Sequence, residues 1–123
     1  MKKTWTHWTQ RRLEDLFQKY NGQYFGGSLR KWGAAIGRLD DMGAVGFCES
    51  KKKQLIVDTD HITSDAEIRS TLLHEMAHAA APGRETHGYK FWEQIERLLQ
   101  KGAPITLGFP EAPDNLNYAR ILE

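Results

Sequence analysis

Leu72-Leu73-His74-Glu75-Met76-Ala77-His78-Ala79-Ala80-Ala81 is the stretch whose reading decides the fold. Residues four apart on an α-helix stand about one turn above each other, so a helix here puts both imidazoles on one line and leaves Glu75 beside them. This is the His-Glu-x-x-His arrangement, in which two histidines can ligate one Zn²⁺ while the glutamate reaches its bound water. With five histidines and nine glutamates in 123 residues, chance supplies roughly 0.014 such matches.

The flanks agree with a helix. Ser64 followed by Glu67 is a capping-box signature, and Asp65 and Glu67 suit the positive end of a helix dipole, so a helix is expected from Asp65 to a stop at Pro82-Gly83. Ile68, Leu72, Met76, Ala79 and Ala80 share its apolar side, with His74 and His78 on a common line beside that stripe. Between Ser70 and Gly83 the one formal charge is Glu75. A carboxylate in such surroundings needs a partner or a task.

A catalytic zinc takes three protein ligands and keeps one position open. The metzincin completion fails, because it wants Gly and His where this chain has Ala81 and Arg84. A second amphipathic helix is expected over residues 87–100, with Phe91, Trp92, Ile95, Leu98 and Leu99 as its core face. His87 falls nearest that face and is the favoured third ligand, whereas Glu93 and Glu96 turn away and Glu85 is a lesser contender. A fourth protein ligand would instead make the zinc structural.

Further out, Leu13, Leu16, Phe17 and Tyr20 recur at helical spacing, predicting a helix over residues 9–20 that Asn21-Gly22 ends. Short β-type runs follow at 35–39, 44–49 and 54–58, separated by turns, and read as hairpins or a meander. Lys51-Lys52-Lys53 suits a solvated turn or a guarded sheet edge, with a phosphate contact as the other reading. His61 is read as a surface histidine or a contact to the site, and Asp58 and Asp60 as carboxylates able to orient a ligand histidine. The whole is an α+β chain: one domain over 1–123, with 102–123 as a C-terminal extension that can hold a short helix or strand near Tyr118.

Composition bounds the rest. A hydrophobic share of 40% and a charged share of 27% are ordinary for a globular protein, and no apolar run is long enough to span a membrane. Met1-Lys2-Lys3 begins like a signal peptide, but no apolar stretch follows, so cytoplasmic residence is expected. Cys48 is the single cysteine, which excludes an internal disulfide and a four-cysteine zinc ribbon. Residues 1–53 hold eleven Lys and Arg against five Asp and Glu, and the remainder six against eleven. Trp5, Trp8 and Trp32 near Lys2, Lys3, Arg11, Arg12, Arg30 and Lys31 are therefore candidates for stacking and holding single-stranded DNA, or else cover a small core.

Taken together, Leu73-His74-Glu75-Met76-Ala77-His78-Ala79-Ala80, then His87-Gly88-Tyr89-Lys90-Phe91, and upstream Asn21-Gly22-Gln23-Tyr24-Phe25-Gly26-Gly27-Ser28-Leu29, resemble the SprT-like family of zinc metallopeptidases, which includes the Spartan-type proteases of DNA-protein crosslinks. The resemblance covers about residues 13–99. It implies a minimal zincin-like core: an N-terminal helix, a mostly antiparallel three-stranded sheet, a helix with the double-histidine motif and a following helix with the third ligand. By it, His74, His78 and His87 hold one catalytic Zn²⁺ and Glu75 is the general base, while the zinc ribbon that many members carry after the core is expected to be missing.

The expected activity is hydrolysis of peptide bonds in an extended substrate that adds to the third strand as an edge, with Tyr89 and Arg84 as candidate oxyanion or substrate contacts. No membrane partner and a monomer are expected. The competing class is a nucleic-acid-binding module that keeps the fold with weak or conditional proteolysis.

Overall fold

The computed structural model describes residues 8–62, 64–81 and 88–106. Helix α1 spans Gln10–Phe25. Thr9 caps it, its hydroxyl accepting the Arg12 N–H at 3.1 Å. Leu13, Leu16, Phe17, Tyr20 and Tyr24 are buried along one stripe. The helix thus runs past Asn21-Gly22, where the sequence suggested an end. Asn21 is buried, and its side-chain oxygen accepts the Leu29 N–H at 2.9 Å, serving the next loop instead of breaking the helix. Termination falls to Gly26 and Gly27, both at positive φ, and the Gly27 N–H closes on the Asn21 carbonyl at 2.9 Å. Asn21→Ala is expected to lower unfolding free energy by about 1–3 kcal/mol, read from denaturant melts, because the Leu29 N–H loses its buried acceptor.

The three strands are β1 (Gly33–Ile36), β2 (Gly46–Glu49) and β3 (Gln54–Val57), in the spatial order β1-β3-β2. β3 pairs parallel with β1 and antiparallel with β2, so the sheet is mixed, in place of the expected meander. The first strand also starts and ends earlier than the sequence run at 35–39. After Ile36 the chain turns through a short 3-10 segment, Asp40–Met42, and Gly43 at positive φ, which carries β2 one strand position away from β1. The vacant position is filled by β3, which returns through the turn at Lys51-Lys52-Lys53. Asp58 ties the arrangement: its N–H donates to Val45 O at 2.9 Å and its Oδ2 accepts the Leu39 N–H at 2.9 Å. β3 is therefore the central strand and cannot receive a substrate as an edge. The edges are β1 and β2.

Helix α2 covers Asp65–Ala80, capped as expected by Ser64, whose hydroxyl accepts the Glu67 N–H at 3.1 Å. Ile68, Leu72, Leu73, Met76 and Ala77 are fully buried, each larger side chain contributing about 1.5–3 kcal/mol of apolar burial. Helix α3, Tyr89–Gln100, lays Phe91, Trp92, Ile95 and Leu98 into the same core. Beyond it Ala103 and Ile105 are buried and the Thr106 N–H donates to Ser70 Oγ at 3.0 Å, so the start of the C-terminal extension packs on α2. The expected stop at Pro82-Gly83 and the segment near Tyr118 lie outside the described residues. The result is an α+β fold of three helices and a mixed sheet, among whose described residues no helix is long and apolar enough to cross a membrane.

Candidate active site

α2 packs against β2, β3 and α3. The imidazoles of His74 and His78 lie with ring centroids 4.9 Å apart. Both rest against Phe91 of α3: His78 stacks on it at 4.2 Å, and His74 approaches it edge to face at 5.0 Å. Phe91, read from sequence as core alone, also orients the two rings.

Glu75 sits between them in sequence and is 6% exposed. Burial pushes its carboxyl up to about 8. Gly46, at the start of β2, lies directly against it: a Cβ there would fall 2.6 Å from Glu75 Oε2 and 2.7 Å from Thr71 Cγ2. A glycine inside a strand pattern is a sequence signal for such close approach, though not of what approaches. Gly46→Ala is expected to displace the Glu75 carboxyl and to lower unfolding free energy by about 1–3 kcal/mol, read from denaturant melts, because the added methyl overlaps Oε2 and Thr71 Cγ2.

Beside Glu75 opens a cleft of about 520 Å³. Val45 and Gly46 form one wall, Glu67, Ser70, Thr71, His74 and Glu75 of α2 another, and His61, Ile62 and Thr106 complete it. His61 is 46% exposed and also lines the cleft, so both of its sequence readings hold. Its Nδ1 lies 2.8 Å from Oδ2 of Asp58, whose side chain is 1% exposed. Burial acts to raise the Asp58 carboxyl, but hydrogen bonds from the Leu39 N–H and His61 outweigh it and hold it below the ordinary value. Asp58 thus orients a histidine, as the sequence allowed, though not one of the expected metal ligands.

Two imidazoles one helical turn apart beside a buried carboxyl form a nitrogen-rich donor set that suits Zn²⁺. Among the described residues no group of three or more His, Cys, Asp or Glu is placed to hold a metal. His87, the expected third ligand, lies outside them, as do Arg84 and Glu85. Gly88, next in the chain, caps α3, the helix whose Phe91 touches both histidines. Tyr89, at the start of α3, is 61% exposed and does not line the cleft. Glu93 is exposed, as its wheel position required.

The aromatic and basic residues divide. Trp8 is buried, with its indole N–H donating to Asp65 at 2.8 Å and the Arg12 guanidinium 3.7 Å above its ring, so it braces α1 on α2 and offers no face to a base. Trp5, Lys2 and Lys3 lie outside the described residues. Trp32 is half-buried with the Lys53 ammonium 5.7 Å from its ring centroid. Because β1 and β3 run parallel and Gly33 N–H donates to Lys53 O at 3.0 Å, exposed Arg30 and Lys31 come to the same end of the sheet as exposed Lys51, Lys52 and Lys53.

A helix, a mixed three-stranded sheet and two further helices make up the fold, and the first of those two helices carries the paired histidines and the buried glutamate. The model of the SprT-like family matches residues 13–108, most of the chain, and the protein belongs to that family. Comparison with curated proteins returned no match.

Proposed function

We propose that the chain is a zinc-dependent metalloendopeptidase acting on extended protein segments. The observation that carries the reading is the buried Glu75 carboxyl, held by Gly46 at the head of a cleft whose wall also contains His74. His74 and His78, with His87 as third ligand, would hold the zinc. When bound, zinc supplies a Lewis acid that lowers the pKa of a water toward about 7. Glu75 then takes a proton from the attacking water on its carboxylate and returns it to the departing amine nitrogen, so that peptide and water become acid and amine. The β2 edge, beginning at Gly46, offers main-chain groups to a substrate lying along the cleft, and such pairing reads little side-chain identity. Digestion of a denatured protein by the zinc-loaded chain is the test. Intact substrate after prolonged incubation, with zinc bound, would refute the reading.

The cations Arg30, Lys31, Lys51, Lys52 and Lys53 around Trp32 favour single-stranded DNA as a partner, which would bring DNA-associated or DNA-crosslinked proteins to the cleft. The alternative of a nucleic-acid-binding module with weak or conditional proteolysis rests on the same cluster. Salt-sensitive DNA binding with no cleavage, with or without DNA, would favour that alternative.

A further inference from the structure

We propose that His61 sets the register of the substrate, its Nε2 accepting a hydrogen bond from one main-chain N–H of a peptide in the cleft; this rests on the peptidase reading above. An ionised carboxylate only accepts hydrogen bonds, so the contact at 2.8 Å to Asp58 requires the proton on Nδ1 of His61. In its neutral form the ring then presents a lone pair at Nε2. The ring is held firmly for a residue in a cleft wall. Asp58 is fixed to the sheet by its N–H to Val45 O and by the Leu39 N–H, and the Thr59–His61 turn closes with the His61 N–H on Asp58 O at 3.3 Å.

Among the described residues no three potential donors cluster, and His61 is not grouped with the pair on α2. What it faces is the cleft shared with Gly46 and Glu75. An extended peptide presents a main-chain N–H at every residue except proline, and a rigid acceptor selects one of them. The consequence is specificity from the backbone: one subsite rejects proline while its neighbours accept most side chains.

The test uses the zinc-loaded Glu75→Gln chain, which holds peptide without cleaving it, and a short unstructured peptide with its single ester-for-amide analogues, binding being read by fluorescence anisotropy. One ester position is expected to weaken binding about tenfold. Adding His61→Ala should weaken the parent peptide by a similar factor and abolish the penalty at that position alone, while His61→Gln, which retains an acceptor, restores part of it. Unchanged zinc content and unfolding midpoint separate this from a structural effect. An ester profile identical with and without His61, or no position with a penalty, overturns the inference even if wild type cleaves. A His61-dependent profile together with a wild type that never cleaves supports it and defeats the peptidase reading instead.

Discussion

Glu75→Gln should lower kcat for peptide hydrolysis on the order of 10²–10⁴-fold while zinc stays at the wild-type stoichiometry. Glutamine keeps the volume and the contact with Gly46 but cannot take a proton from water, and it is not one of the three expected ligands. The two effects therefore separate: histidine replacements at 74 or 78 should release metal and activity together, whereas this one should release activity alone. Loss confined to KM would mean that Glu75 binds substrate instead of moving a proton. Parallel measurement of kinetics and metal content distinguishes these outcomes.

The second large effect concerns the metal-free protein. Its Glu75 carboxyl is raised from an ordinary 4.5 to about 8 by burial, so between those values the folded chain binds a proton that the unfolded chain has released. Its contribution to stability is fully present below the unfolded value and is lost as pH rises through the folded one. The chelated protein should consequently lose on the order of 4 kcal/mol of unfolding free energy between about pH 4.5 and about pH 8. Glu75→Gln should flatten that slope, as should added zinc, whose charge favours the ionised carboxylate. Denaturant melts across the pH range provide the check. A chelated wild type whose slope matches that of the glutamine variant would show that Glu75 is solvated.

How much of this was legible before folding depends on the range of the interactions involved. The α2 helix was readable from Ser64 to Ala80 because its cap, its apolar stripe and its ligand spacing are all local. The end of α1 was misread because the partner that keeps Asn21 helical, the Leu29 N–H, lies in the next loop. Strand existence followed from composition, but strand order did not, since a run of β-type residues does not name its neighbour. One signal was there: Leu55-Ile56-Val57 is an unbroken apolar run, as a strand flanked on both edges can carry, although its burial alternates, with Leu55 and Val57 buried and Ile56 half-buried. Mistaking the central strand for the edge followed directly.

The site divides the same way. His74, Glu75 and His78 come from one helix, and their proximity follows from helical spacing alone. Gly46 against Glu75, Phe91 beneath the two imidazoles and His61 in the cleft wall each join segments far apart in sequence. No periodicity brings those together. The charge count over residues 1–53 suggested a basic face, yet only the parallel pairing of β1 with β3 shows which lysines and arginines meet, and it removes Trp8 from that face.

The claim that the chain is a zinc peptidase is tested most directly by measuring zinc per chain and cleavage of a denatured protein in one preparation, before and after chelation and after zinc is restored. One zinc per chain is expected, with cleavage that disappears with the metal and returns with it. Cleavage that survives complete removal of zinc, or a fully zinc-loaded chain that leaves the substrate intact, would contradict it.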